Sequence, residues 1–148
     1  MMAFTRALPD YRITIITSGP NIALEIAKSK QNPSIVMLGG TLSSQTLSIA
    51  GASVIEQLRS LNIDTAFMSA SGFSETSGFS VGNQHEADLK HMVMSKARRT
   101  IMLMDSSKVG TILPFTFAKA EDVDVVVSDS DMPESTKNFF NQLNIEVF

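Results

Sequence analysis

Short aliphatic and β-branched runs alternate along this chain with stretches of helical period, a pattern that predicts strands feeding helices in a mostly parallel sheet. Met2–Leu8 reads as a short amphipathic stretch stopped at Pro9-Asp10, and Ile13–Thr17 as the first clear strand. Pro20 suits a first helical position, where its missing N–H costs nothing, and Ile22, Ala23, Ile26 and Ala27 give one helix face that ends before Pro33. Ile35–Leu38 is the next strand, closed by Gly39-Gly40; a polar stretch runs to Ser48, and Gly51 leads into a helix carrying Val54, Ile55, Leu58 and Leu61. Asp64–Ala70 follows as a third buried strand, then a Gly/Ser-rich loop over Ser71–Asn83, a helix over Gln84–Ala97 and a strand at Thr100–Met104. Asp105–Gly110 is a strand-end loop, Val123–Ser128 a strand, Pro133–Leu143 a helix and Ile145–Phe148 a last strand. The expected fold is one open α/β domain, a mostly parallel sheet with flanking helices.

Composition narrows the function classes. The 148 residues include no cysteine, which removes disulfide frameworks, thiolate metal sites and cysteine nucleophiles together. Twelve Lys and Arg against fifteen Asp and Glu give a formal charge of −3, which argues against a nucleic-acid surface within these residues. The apolar runs are strand-sized, far short of the roughly 20 residues that span a bilayer, so no membrane partner is expected. Met1–Arg6 lacks the basic and apolar regions of a signal peptide, and a soluble cytoplasmic protein is the expectation.

Ligands of open α/β sheets bind beyond the carboxyl ends of the strands, and four such ends here are small or polar. Thr17 and Ser18 offer hydroxyls, Gly19 allows close backbone approach, and the helix starting at Pro20 points its positive end at the same place; this suits a phosphate or carboxylate, and equally an ordinary helix cap. Gly39 and Gly40 either admit a ligand close to the backbone or turn the chain. Lys108 stands three residues after Asp105 and either holds a phosphate as a point charge or makes a surface ion pair. Glu86 and Lys90 are spaced i,i+4, whereas His85 and His91 are six apart and off the spacing that sets two metal ligands on one helix face, so no metal site is expected. The sequence has no G-x-G-x-x-G, Walker or G-x-S-x-G motif.

In series, these stretches resemble the C-terminal sensor domain of the DeoR family of bacterial sugar-catabolism repressors. The carriers are Ile15–Gly19, Ile35–Gly40, Ser48–Gly51 before a helix, and Asp64–Phe67 with Gly72 behind it. Glu86–Lys90 followed by Met92, then Asp105–Gly110, then Asp124–Asp129 complete the set, so the likeness covers nearly the whole chain. The resemblance implies a Rossmann-like sheet of the ribose-5-phosphate isomerase type. It also implies that a phosphorylated sugar is the effector, that copies of the chain associate as a homo-oligomer, and that operator DNA is bound only through a separate N-terminal winged helix-turn-helix. The residues it nominates are Thr17, Ser18 and Gly19 for the phosphate or a sugar hydroxyl, and Gly39 and Gly40 for close approach. Ser71 and Gly72 lie behind the third strand, Glu86 and Lys90 at the entrance, and Lys108 supplies charge oriented by Asp105. No cofactor is implied.

The chain departs from the family pattern at three points. The usual Thr-Asn-Ser loop is here Thr17-Ser18-Gly19, and the acidic or amide position before Gly72 is Ser71. An earlier strand ending in a Gly-Thr-Thr-like, phosphate-cradling loop belongs just before Met2–Leu8, so the family's first strand is expected to be lacking and unpaired edges to be met by pairing or swapping between subunits. Two alternatives remain: a sugar-phosphate isomerase-like enzyme, and an oligomerisation module with a defunct ligand site. Against catalysis, Met68–Gly72 carries no carboxylate, and the position aligned with the isomerase glutamate is Lys90, with Glu86 one turn earlier.

Overall fold

The computed structural model describes residues 13–28, 33–44 and 46–148, and the chain divides into two compact units, 1–60 and 61–148. The expected amphipathic stretch Met2–Leu8 and its stop at Pro9-Asp10 lie outside the described residues.

In the first unit the order is β1 (Thr14–Thr17), α1 (Pro20–Ala27), β2 (Ser34–Met37), β3 (Thr41–Ser43), β4 (Ser48–Ala50) and α2 (Ala52–Arg59). β1 and β2 pair in parallel from Thr14 opposite Ser34 to Thr17 opposite Met37, which brings their carboxyl ends side by side. The helix faces hold only in part: Ile26, Val54 and Leu58 are buried, whereas Ala27 is exposed and Leu61 falls beyond the end of α2. The polar stretch after Gly40 is an antiparallel hairpin, Thr41 opposite Ala50 and Ser43 opposite Ser48. Gly40 explains its start. A Cβ there would come within 2.8 Å of Val54 Cγ2 and 2.9 Å of the Ala50 carbonyl, so only glycine lets the chain turn so close to α2.

The second unit runs β5 (Ile63–Ser69), β6 (Gly72–Ser74), β7 (Gly78–Val81), α3 (Gln84–Lys96), β8 (Ala97–Leu103), β9 (Phe115–Ala118), β10 (Val125–Val127), α4 (Glu134–Gln142) and β11 (Glu146–Val147). Four strands form a wholly parallel sheet in the order β11-β10-β8-β5, the α/β arrangement expected from the periodicity. α3 starts on Asn83, whose side chain accepts the Glu86 N–H at 3.3 Å, and lies against β5, β7, β8 and β9.

The Ser71–Asn83 stretch is a correction. It forms the β6–β7 hairpin, which joins β9 in an antiparallel three-stranded sheet rather than a loop. The reason is aromatic burial: Phe73 and Phe79 face each other across the hairpin with ring centroids 4.7 Å apart, and both are fully buried. Phe140 of α4 closes the cluster, 4.8 Å from Phe73 and stacked on Phe79 at 6.3 Å. Met68, Met102, Met104 and Met132 fill the core around the rings, where the unbranched thioether adapts to irregular gaps. The turn into β7 requires Gly78: its φ is +80°, and a Cβ would collide with the Ala118 carbonyl of β9, beside an irregularity in the β7–β9 register at Phe79/Ser80.

Because Phe140 is fully buried among three other rings, Phe140→Ala should lower the unfolding free energy by about 3–5 kcal/mol. Urea unfolding checks this, and a loss below about 1 kcal/mol would mean that the cluster does not hold α4 to the sheets.

Candidate functional site

Each unit presents its own rim at the carboxyl ends of its parallel strands. On the first unit that rim is Thr17-Ser18-Gly19 beside Gly39-Gly40, the Leu38 N–H donating to the Thr17 carbonyl at 2.9 Å. Thr17 Oγ1 accepts the Gly19 N–H at 3.1 Å, a local turn that delivers the chain into α1. The Ser18 carbonyl accepts the Ile49 N–H of β4 at 2.8 Å, and its hydroxyl lies 3.4 Å from that of Ser48. Gly19 itself is the N-cap of α1 in extended conformation, with no side chain capping the helix. At Gly39 the amide of Gln57 engages both backbone groups: Oε1 accepts its N–H at 3.1 Å, and Nε2 donates to its carbonyl at 2.8 Å. Gln57 was invisible as a partner in the sequence, since nothing local marks an amide 18 residues away.

On the second unit, register sets the rim. Ser69, Leu103 and Val127 stand side by side at the ends of β5, β8 and β10. Lys90, one and a half turns into α3, reaches back to this row and donates from Nζ to the Ser69 carbonyl at 2.7 Å. Its Nζ also lies 3.4 Å from Glu86 Oε1 and 5.5 Å from the centroid of the Phe117 ring. The Lys90 side chain is only 13% exposed, so it stands inside the rim rather than at an open entrance. That burial pulls its pKa below the ordinary lysine value, and the Glu86 carboxylate opposes the pull.

Next along the row, Asp105–Lys108 forms a tight turn with a 3-10 segment at Ser106–Lys108. Asp105 Oδ1 accepts the Ser107 N–H at 3.1 Å and the Ser107 hydroxyl, and Oδ2 lies 3.9 Å from Lys108 Nζ. The Ser107 hydrogen bond is the main reason that the Asp105 carboxyl titrates below the usual aspartate range, with Lys108 adding to it. Asp129, following β10, accepts the Ser106 N–H at 3.0 Å and is held low chiefly by that bond. The sequence marks Asp129 only as the end of the Asp124–Asp129 stretch that carries the family resemblance, with no site role attached.

The remaining candidates have mainly architectural surroundings. Ser71 is exposed and donates its N–H to the Ser80 carbonyl at 3.1 Å. Gly72 is buried, and a Cβ there would stand 2.5 Å from the Thr111 carbonyl. His85 is exposed, while His91 places Nδ1 3.3 Å from the Phe117 carbonyl. Among the described residues no cluster of three metal-ligating side chains occurs, and no helix is long and apolar enough to cross a membrane.

Lys90→Met should lower the unfolding free energy by about 2–4 kcal/mol, because it takes the donor from the Ser69 carbonyl and the cation from the half-buried Glu86 carboxylate and leaves both without that partner. Chemical denaturation checks it; a loss below about 1 kcal/mol would show that neither group depends on the lysine.

The model of the DeoR C terminal sensor domain matches residues 1–130. The HTH-type transcriptional regulator YulB of Bacillus subtilis (strain 168) is 33% identical over 133 residues, covering 89% of this chain and 51% of that protein. The HTH-type transcriptional repressor GlcR of the same organism is 30% identical over 116 residues, 78% of this chain and 44% of that protein. The L-fucose operon activator of Escherichia coli (strain K12) is 29% identical over 124 residues, 84% of this chain and 51% of that protein. The chain spans about half the length of these relatives.

Proposed function

The chain belongs to the DeoR family of transcriptional regulators as a C-terminal sensor domain, and from that premise we propose that it senses a phosphorylated sugar for a repressor of sugar catabolism. The observation that carries this reading is the second unit's rim. Lys108, its side chain 36% exposed, offers an ammonium held by a pairing with Asp105 as long as 3.9 Å, on a turn whose Ser106 N–H is held by the Asp129 carboxylate. A cation of this kind takes a phosphate as a point charge, and carboxylates pinned below their usual pKa accept from sugar hydroxyls at neutral pH. On the first unit, the hydroxyls of Thr17 and Ser18 and the uncapped start of α1 behind Gly19 suit the same class of ligand, with the backbone of Gly39, held by Gln57, and Gly40 alongside. Ser71, Gly72, Glu86 and Lys90 are proposed to border the second unit's rim.

Catalysis is not part of the proposal. The end of β5, Ser69–Gly72, carries no carboxylate, and Glu86 is engaged with the Lys90 ammonium at 3.4 Å. Contact with operator DNA is assigned to a winged helix-turn-helix elsewhere in the regulator, in keeping with the formal charge of −3 here. The GlcR and fucose relatives are called a repressor and an activator, so repression is the reading for this chain from its resemblance alone.

The test is thermal denaturation against a panel of pentose and hexose phosphates. A true effector at 100 times its Kd should stabilise by about 2.7 kcal/mol, and Lys108→Ala should weaken it by about tenfold or more. If no sugar phosphate shifts the transition, the sensor reading gives way to a purely oligomerising role. Self-association has separate support in Leu24, Leu42 and Leu47 of the first unit, exposed by 64%, 51% and 50%. Sedimentation should show a dimer or larger species at micromolar concentration; a monomer throughout would remove that part of the proposal.

A further inference from the structure

The turn that bears Lys108 does not end at the rim. Its chain continues as a strap, residues 109–113, laid across the β6–β7 hairpin. Val109 bridges Phe73 in parallel, and the Gly110 N–H donates to the Phe73 carbonyl at 2.8 Å. Leu113 donates its N–H to the hydroxyl of Ser80 at 3.0 Å, and that hydroxyl in turn donates to the Gly72 carbonyl at 3.4 Å. Ser80 is 1% exposed, an unusual place for a serine in a core of Phe, Met and Val. Over the bare Cα of Gly72 passes the Thr111 carbonyl, 2.5 Å from where a Cβ would be. Thr111 is tied back to the turn, its N–H donating to the Lys108 carbonyl at 3.2 Å.

We propose that Ser80 and Gly72 are positioning residues for Lys108: a buried hydroxyl and a missing side chain make the seat on which the strap lies, and the seated strap fixes where the Asp105–Lys108 turn presents its cation. The inference rests on the reading of Lys108 as an effector contact. An apolar side chain at position 80 would fill the same space but leave the Leu113 N–H without this acceptor, so the hydroxyl is what ties the strap to the hairpin. The front of the turn is anchored independently, by the Ser106 N–H on Asp129 and the Met104 N–H on the Val127 carbonyl at 3.1 Å. The strap supplies the other anchor.

The test needs no ligand, so its outcome and that of the sugar-phosphate screen are separate. In Ser80→Ala the acceptor is lost from the hairpin side; in Leu113→Pro the donor is lost from the strap side, outside the buried strand. In each variant the Gly110 amide should exchange with solvent at least about fivefold faster, the loss of one such bond. In each, the Asp105 carboxyl, followed by carbon NMR, should titrate closer to the ordinary aspartate range, because Ser107 and Lys108, which lower it, are held less firmly; the Asp129 carboxylate, which shares the turn through Ser106 and feels the Asp105 charge, is followed alongside it. A folded variant with a faster Gly110 amide and an unchanged Asp105 titration would overturn the proposal, since the front anchor alone would then set the turn. Should both variants fail to fold, native-state exchange of the unaltered protein decides. Lys108, Gly110 and Leu113 should open with one free energy, and a loose Leu113 beside a protected Lys108 would overturn it.

Discussion

The second unit depends on the register of β5 against β8. Six consecutive or near-consecutive pairings, from Ile63 opposite Ala97 to Ser69 opposite Leu103, hold two seven-residue strands in parallel, and β10 takes its place from β8. Since side chains alternate along a strand, a slip of β5 by one residue would turn Ala66 and Met68 out of the core. The same register brings the Ser69 carbonyl, the Asp105 turn and Asp129 to one edge. Packing and chemistry are therefore not separate selections here. The alternation that buries the methionines also aligns the polar strand ends.

At the other end of β10 the lock is visible. Asp124 accepts the Thr100 N–H at 2.7 Å with Oδ2 and donates its own N–H to the Thr100 carbonyl at 3.0 Å, so β10 begins in register with β8. Thr100 is buried, which strengthens the dependence of each group on the other. Asp124, noted in the sequence as part of the family resemblance, thus has a structural reason to be there. Carboxylates at the two ends of one short strand serve different ends: Asp124 fixes the strand and Asp129 anchors the turn on the rim.

The long periodic elements were legible in the sequence. β5, α3, β8 and α4 follow from hydrophobic spacing and cap residues within a residue or three of their bounds. The two hairpins were not. Thr41–Ser43 and Ser48–Ala50 are only three residues each and half polar, and the backbone pairing that makes them strands leaves no mark in hydropathy. Gly72-Phe73-Ser74 and Gly78-Phe79-Ser80 did carry a signal, the same tripeptide twice with a phenylalanine at its centre, masked by the glycine and serine that usually mark loops. Of the site, the pairs close in sequence were readable: Glu86 with Lys90, and Asp105 with Lys108. Partners supplied by folding were not, among them the Ser69 carbonyl under Lys90, Gln57 on Gly39 and Asp129 on Ser106. Each joins residues 18 to 23 apart, beyond the reach of any local pattern.

Gly78 couples one residue to the path of a distant strand. Its left-handed φ and the Ala118 carbonyl that occupies its Cβ position belong to the same irregular crossing of β7 and β9. A side chain at position 78 would need β9 to stand further off, and β9 can lie as close as it does only over a bare Cα. The glycine and the strand crossing are therefore one constraint, and changing either obliges the hairpin to pair differently.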